Sequence, residues 1–563
     1  MKKIFNTNYS HLGLLLAIYA LFFIFLILPL GDVFQKSFWV NGHFTLEFFR
    51  LMVDNPLMQR SIINSFALGL VVVIFTALLT LPLSVVMTRF DFRFKGLMQG
   101  LLLVPLIMPP FVGAIGIKQL FARFGSINLL LMKLGIIEMP IDWLGSSGFW
   151  GVVLLEVIHL YPIMYLNMVA AMANIDPTLE EAAFNLSARF PTVLRRIILP
   201  LIIPGFFAGA TITFIWAFTD LGTPVILNFK ETIPVQIFNL VTDIHQNQMG
   251  YALVVFMAVI TTVMFLLSKK VIGTKRYEML SRGHITGRER RVSWWAQIFI
   301  LGSLLGLVAV ALLPHLGVVM ASFSENWFGT ILPEHLTTRY YEQIGSNPMA
   351  YVSIKNSFFY SICSVILDII LGITIAYLLT RTKIRTKGLL DSLSMLPLAL
   401  PGLVLAFGYV STFSGTWLDP RHNPTLLLII SYSFRRMPYM VRAAYAGFQQ
   451  SSVYLEEAAR NLGASVLTTI RRITIPLIYA NLIAGSMICF AYAMLEVSDS
   501  LILAMKEQYF PITKAIYMLF SYVSDGISIA CVLGVIGMVI LSASLIIAGR
   551  FLGQKLGELF RTG

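Results

Sequence analysis

Long apolar runs alternate with short polar segments along this chain, and the apolar runs match the ~20 residues that carry a helix across a bilayer. In the first half they lie near 11–31, 62–88, 97–117, 149–173, 201–227 and 250–268. In the second half they lie near 294–320, 356–380, 388–411, 425–447, 477–505 and 527–549. The pattern predicts an all-α, polytopic membrane protein of about twelve transmembrane helices. One polar segment occurs twice. Residues 179–200 read L-E-E-A-A-F-N-L-S-A-R-F-P-T-V-L-R-R-I-I-L-P, and residues 455–476 read L-E-E-A-A-R-N-L-G-A-S-V-L-T-T-I-R-R-I-T-I-P. Thirteen of these 22 positions are identical at an offset of 276, where unrelated stretches share about one or two.

The repeat extends into the spans. Asn64-Ser65-Phe66 matches Asn356-Ser357-Phe358 at an offset of 292, as Pro105 and Pro109 match Pro397 and Pro401. From the fourth span onward the offset is 276, pairing Pro162 with Pro438 and Asp220 with Glu496. The difference, 292 − 276 = 16, places about sixteen extra residues in the first half, around Phe121–Ser147, where 128–137 is expected to form a short helix parallel to the membrane. The chain therefore divides into a first six-helix repeat (1–270, with its polar segment 176–200), a basic linker (271–292) and a second repeat (293–563, with 451–476). An even number of spans per half makes the halves parallel repeats about an axis along the membrane normal.

Charge sets the orientation. The linker carries Lys269, Lys270, Lys275, Arg276, Arg282, Arg288, Arg290 and Arg291 against Glu278 and Glu289, and the loop after span 8 carries Arg381, Lys383, Arg385 and Lys387. The loop after span 7 is acidic instead. Basic loops stay inside, so both termini and both repeated segments are expected on the cytoplasmic side of the membrane. With 57% hydrophobic and 12% charged residues the chain is not a soluble globular protein. The net charge of +13 is that of loops on one membrane face, not of a nucleic-acid surface. Cys363, Cys489 and Cys531 all fall inside apolar runs without metal or redox spacing. The first run lacks a small-residue cleavage site, so it is expected to be retained as a span.

In each repeated segment the apolar positions recur at i, i+3, i+4 and i+7: Leu179, Ala182, Ala183 and Leu186, then Leu455, Ala458, Ala459 and Leu462. That is one stripe of a short amphipathic helix. Asp176 ahead of Pro177 supplies a cap for the first copy, and Ser451 or Ser452 for the second. Glu180 and Glu181, like Glu456 and Glu457, are available to a basic partner. Gly463 permits a left-handed turn at the helix end, where Ser187 is poorer by roughly 1 kcal/mol. A second helix is expected to carry Arg195 and Arg196, or Arg471 and Arg472, and to stop at Pro200 or Pro476. An interfacial helix on lipid headgroups is the alternative, weakened by the duplication.

The spacing E-A-A, three residues, Gly, nine residues, I-x-L-P resembles the signature of the membrane subunits of bacterial ABC importers. The second copy gives Glu457-Ala458-Ala459, Gly463, Ile473, Ile475 and Pro476; the first gives Glu181-Ala182-Ala183, Ser187, Ile197, Leu199 and Pro200. The resemblance covers nearly the whole chain, with Ser187 and Ile475 as departures. It implies that these residues form coupling helices docking two copies of a separate cytoplasmic ATPase, which holds the ATP and Mg, and that an extracytoplasmic solute-binding protein delivers the cargo. The fused halves, with F-T-D-L-G-T-P at 218–224 and F-R-R-M-P at 434–438, are similar to permeases for ferric iron, with thiamine, polyamine and phosphonate permeases as relatives. Iron(III) is the expected cargo. No phosphate loop of the form G-x-x-x-x-G-K-[ST] is present, so no ATPase activity, catalytic residue, bound cofactor or metal is expected in this chain itself.

Ionisable residues inside spans mark a pathway or a buried pair. They are Glu156, His159, Asp220, Asp368, Arg435, Arg436, Glu496 and Asp499. Asp220 with Glu496, and His159 with Arg435, occupy equivalent places, so they either line a path for a charged solute or pair to fix helix packing, as Arg435 with Glu496 would. Asp368 faces Thr76 in the repeat, which favours a structural role. The paired prolines of span 3 and its counterpart either free carbonyls toward a cavity or make packing kinks. A gradient-driven secondary transporter with parallel repeats is the other functional class. It needs no docking segment, and the loop Arg89–Arg93 lacks the G-x-x-x-D-R-x-G-R-R pattern such proteins carry.

Overall fold

The computed structural model describes residues 9–40, 42–145, 148–241, 248–274, 290–521 and 525–552. Among these, nine helices are long and apolar enough to cross a bilayer, from Leu12–Phe38 to Gly526–Phe551. Two further spans are broken: Lys95–Ile107 with Pro110–Lys133 at 93°, and Lys387–Ala399 with Gly402–Phe413 at 101°. One more helix, Thr425–Gln450, has the length but not the apolarity, because Arg435, Arg436 and Arg442 lie along it. It stands where Phe149–Ala173 stands in the first repeat. Most of the linker, 275–289, lies outside the described residues.

The paired prolines do more than kink their spans. Met108 and Leu400, each just before a proline, have ψ of 131° and 126°, the extended conformation that a following proline imposes. Pro109 and Pro401 are themselves extended, at ψ 139° and 140°, and a fresh helix starts after each. The carbonyls freed at the first break are taken up by packing side chains. His159 Nδ1 donates to Pro105 O at 3.1 Å, and the Tyr161 hydroxyl to Leu102 O at 2.9 Å.

Two compact units are present, and they do not follow chain order. One joins residues 56–235 to 260–340; the other joins 1–55 and 236–259 to the described part of 341–559. Span Trp294–Ser322 thus packs with the first repeat's helices, and span Leu12–Phe38 with the second's.

In the first of these units Pro56–Arg89, Phe149–Ala173 and Leu199–Thr219 pack together, and Trp294–Ser322 lies against Pro110–Phe121. Gly116 makes that last crossing possible: a Cβ there would strike the Pro314 carbonyl and come within 3.0 Å of Val318 N. In the other unit Pro348–Arg381, Thr425–Gln450, Ile475–Met494 and Gly526–Leu552 pack together, and Leu28–Phe38 lies against Gly402–Phe413. A Cβ on Gly408 would sit 3.2 Å from the Pro29 carbonyl oxygen. Without a hydrophobic drive between helices in lipid, such small-residue contacts are what hold spans together.

The Asn-Ser pair shared by the repeats has a common task. Asn64 Nδ2 donates to Glu231 O at 3.0 Å, and Asn356 Nδ2 to Gln508 O at 2.9 Å. Ser65 Oγ accepts from Ile233 N at 2.9 Å, and Ser357 Oγ from Ile512 N at 2.8 Å. Each pair pins the start of a short helix, Ile233–Leu240 or Ile512–Phe520, onto the second helix of its repeat. The helix expected near 128–137 runs instead over Ser126–Lys133, because Gly135 turns the chain at φ +68°.

Overpacking a tight crossing costs about 1–3 kcal/mol. Gly116→Val is therefore expected to lower the thermal unfolding midpoint of the detergent-solubilised protein. Gly306→Ala, facing open space on span Trp294–Ser322, should leave it unchanged.

Candidate functional site

Each repeated segment folds as a short helix, a tight turn and a second helix. The first helices are Pro177–Asn185 and Val453–Asn461. Asp176 Oδ1 caps the first by accepting from Thr178 N at 3.0 Å. The expected serine cap of the second copy is not formed. Ser452 stands at the cap position without a side-chain bond, and Ser451 Oγ is engaged by Arg381 at 2.8 Å.

Both helices end in the same hydrogen-bonded turn. Ala188 N donates to Ala183 O at 3.0 Å, and Ala464 N to Ala459 O at 3.0 Å. The turn residues are left-handed, Ser187 at φ 60° and Gly463 at φ 90°. A glycine adopts this geometry freely and a serine does so at a cost.

The next helices do not stop at their prolines. Phe190–Thr219 and Val466–Met494 run on as continuous helices through Pro200 and Pro476 into the spans. Each relaxes into a wide turn just before its proline, Leu194–Ile198 or Ile470–Thr474. The physical reason is that a proline ring clashes with the carbonyl four residues back. An i→i+5 turn, closed by Leu199 N to Leu194 O and Ile475 N to Ile470 O, widens the ladder where the ring must fit. Arg195, Arg196, Arg471 and Arg472 sit on these wide turns and are exposed.

Each of these helix–turn–helix segments forms a foot at the end of its spans, and the two glutamates of each foot have different partners. Glu180 is paired with Arg89 at 2.7 Å, both side chains about nine-tenths buried (13% and 15% exposed). Glu456 is paired with Arg381 at 3.1 Å, at 7% and 10% exposed. The same arginines hold the end of the preceding span: Arg89 Nη2 donates to Met172 O at 3.2 Å, and Arg381 Nη2 to Phe448 O at 2.8 Å. Glu180 and Glu456 are thus internal, whereas Glu181 and Glu457 point to solvent. The arginines were the part that sequence reasoning missed. Arg89 and Arg381 match at the offset of 292, one residue past their spans, and that correspondence was the available signal.

The apolar stripe splits in the same way. Ala183 and Ala459 turn inward, Ala459 being buried, while Ala182, Ala458, Leu179 and Leu455 are exposed. Leu186 and Leu462 project at the tip, 84% and 90% exposed.

The first foot has an additional support. Arg290 and Arg291 pair in parallel with Phe90 and Asp91, and the Arg290 guanidinium lies 3.9 Å from the centre of the Phe184 ring. These groups line a charged cleft of about 1470 Å³ beside the foot, with Lys95, Glu180 and Glu181. Phe184 is replaced by Arg460 in the second foot, which donates to Tyr377 Oη at 3.0 Å instead.

The ionisable residues within the spans form two unlike clusters. In the second repeat Glu496 is bound by both Arg435 and Arg436. Asp499 accepts from Ser431 at 2.7 Å and lies 3.8 Å from Arg435. Gly402, just past the break, leaves room for this, since a Cβ there would sit 2.6 Å from Asp499 Oδ1 and on the Arg435 guanidinium. Asp368 accepts from Ser433 at 2.6 Å. In the first repeat Asp220 caps the helix Gly222–Ile226, accepting from Gly222 N at 3.2 Å and Thr223 N at 3.0 Å. Glu156 accepts from Thr223 Oγ1 at 3.2 Å. Arg435 and Glu496 therefore meet, while their equivalents His159 and Asp220 bond elsewhere. Among the described residues no three His, Cys, Asp or Glu side chains converge as a metal site.

Residues 80–272 and 368–558 each match the family described as binding-protein-dependent transport system inner membrane component. The chain is 27% identical over 498 residues to the ferric transport system permease protein FbpB of Actinobacillus pleuropneumoniae, covering 86% of this chain and 71% of that protein. It is 27% identical over 270 residues to the spermidine/putrescine transport system permease protein PotC of Escherichia coli K12, covering 47% and 94%. Among solved structures it resembles a bacterial ABC transporter involved in the import of the acidic polysaccharide alginate, at 18% identity and a TM-score of 0.41, over 47% of this chain and 96% of that one.

Relieving the left-handed serine should strengthen its turn. Ser187→Gly is expected to raise stability by about 1 kcal/mol, and Gly463→Ala to lower it by about as much, read as opposite shifts in the unfolding midpoint.

Proposed function

The chain belongs to the family of binding-protein-dependent transport system inner membrane components, with the family's domain present twice, and we propose that it is a fused, two-half permease of an ATP-driven importer of ferric iron. One observation carries the reading. Two feet 276 residues apart share a left-handed turn, a wide turn before a proline, an internal arginine–glutamate pair and an exposed tip leucine. Nothing in the packing of a single span requires that set, and two equal docking points suit two copies of one ATPase subunit.

The mechanism follows from the way each foot is tied down. Arg89 and Arg381 fasten the feet to the spans behind them, so a push on the tip reaches Phe149–Ala173 and Thr425–Gln450 without being lost in the turn. The continuous helices through Pro200 and Pro476 give a second rigid route into the bilayer. ATP-driven closure of the partner dimer would rock the spans and switch access from the outer to the cytoplasmic face. A solute-binding protein would hand over the cargo outside. Both termini and both feet then face the cytoplasm, in accord with the basic loops.

Iron(III) as cargo is supported by the similarity to the ferric permease over 86% of this chain. The buried clusters support a structural role for Arg435, Arg436, Glu496 and Asp499. Arg435 and Arg436, one on each oxygen of the buried Glu496 carboxylate, are spent on pairing, and breaking such a pair costs about 3–5 kcal/mol. His159 and Asp220 are likewise bonded to backbone groups.

The test is co-expression with an ABC ATPase subunit from the same organism and reconstitution into liposomes. Leu186→Asp with Leu462→Asp is expected to cut co-purification of the ATPase at least about tenfold, a loss of ~1.4 kcal/mol or more, with the unfolding midpoint unchanged. Glu181→Ala with Glu457→Ala should assemble less and lose stimulated turnover. Glu180→Ala with Glu456→Ala should instead destabilise the fold, by about 3 kcal/mol for each broken pair, read as a lower unfolding midpoint. Equal assembly and turnover in the tip variants and wild type would remove the feet as docking sites. Stimulation by the binding protein loaded with spermidine, and not with iron(III), would keep the importer and discard the cargo.

A further inference from the structure

The insert that only the first repeat carries, between Phe121 and Phe149, is unlike the other loops. Its helix Ser126–Lys133 and the residues after it expose Leu130, Leu134, Ile136, Met139, Ile141 and Trp143, with Met139 79% accessible. Only Lys133, Glu138 and Asp142 carry charge between 126 and 143. Span Phe149–Ala173 separates this segment from the first foot, so the two lie at opposite faces of the membrane. We propose that the insert is an apolar anchor lying in the headgroup–acyl boundary of the outer leaflet. This goes beyond the importer reading and needs only its membrane orientation.

Three observations converge on lipid as the occupant. The first is continuity. The segment leads directly into the span that begins Phe149-Trp150, and Trp150 is itself 52% exposed. Trp150 suits the interfacial layer, where an apolar ring with one polar N–H is favoured.

The second is length. Ser126–Lys133 is set off from Pro110–Phe121 by the turn at 122–125, and its eight residues span only ~12 Å, too short to cross by themselves, a length that suits an apolar helix lying in the interface. The third is how the loop satisfies its own backbone. Asn128, fully buried, donates to Ile141 O at 2.7 Å and Arg123 O at 3.1 Å. It accepts from Ile141 N at 3.2 Å and Trp143 Nε1 at 2.8 Å. Backbone groups near hydrocarbon must be paired internally, and an uncharged amide does so without burying a charge.

The equivalent loop of the second repeat, 414–424, is built the other way. Its lock is Asp419, which accepts from Gly415 N at 2.8 Å and from the Arg421 guanidinium at 3.0 Å. That contact holds the carboxyl well below the usual carboxylate range, with Arg421 45% exposed. A charged lock with an exposed guanidinium suits water. A neutral lock beneath six exposed apolar side chains suits lipid.

Spin labels distinguish the environments. In the full chain with Cys363→Ser, single cysteines replace Ile136 or Met139, with Leu78→Cys as the lipid reference and Leu462→Cys as the water reference. The labelled proteins are placed in nanodiscs of anionic and zwitterionic phospholipid, keeping only those that retain the parent unfolding midpoint. Labels at 136 and 139 are expected to collide with oxygen in preference to a water-soluble nickel chelate, as Leu78→Cys does, by at least about threefold over Leu462→Cys. Nickel access equal to that at Leu462→Cys would overturn the proposal. Loss of access to both reagents only when the solute-binding protein is added would overturn it too, making the insert a protein contact. Neither result depends on the ATPase, so the docking feet stand or fall separately.

Discussion

The arginine closing the second helix of each repeat is the contact on which the rest depends. Arg89 and Arg381 each bond a carbonyl at the end of the next long span and the first glutamate of the foot that follows. Without that joint a nine-residue helix beyond the membrane would hang on a few turn residues, and short helices are marginal in water. With it, the foot becomes an extension of two spans at once. The exposed glutamates and tip leucines are then free to face outward, because the inner glutamate already satisfies the arginine.

A second constraint is close approach between spans that are distant in sequence. Gly116 against Pro314 and Gly408 against Pro29 bring the opening span of each half onto the broken span of the other. Prolines supply the breaks and glycines the crossings, so the same two residue types set both the bend and the packing. The exchange ties each compact unit together from both halves of the chain.

Duplication did not keep the buried chemistry equal. The second repeat balances Glu496 with two arginines, whereas the first uses Asp220 as a helix cap and His159 as a donor to a freed carbonyl. Positions that correspond along the chain therefore serve different bonds. The described end of the linker supports the first foot, where Arg290 covers Phe184, a residue replaced by Arg460 in the second.

Sequence alone determined the class of the protein, its duplication, the feet and the left-handed turns, because those follow from local rules. Span length is set by the bilayer, turn geometry by a single residue, and an amphipathic stripe by helical period. Even the sixteen-residue excess showed in the change of offset. The tertiary structure decided which glutamate faces inward, since only the arrival of Arg89 and Arg381 from another helix distinguishes Glu180 from Glu181 and Glu456 from Glu457. It also decided that the chain runs helically through Pro200 and Pro476, because a wide turn can absorb a ring that local propensity counts as a stop. And it decided that Arg435 spends its charge on Glu496, since long-range contact, not spacing, sets which buried charges meet.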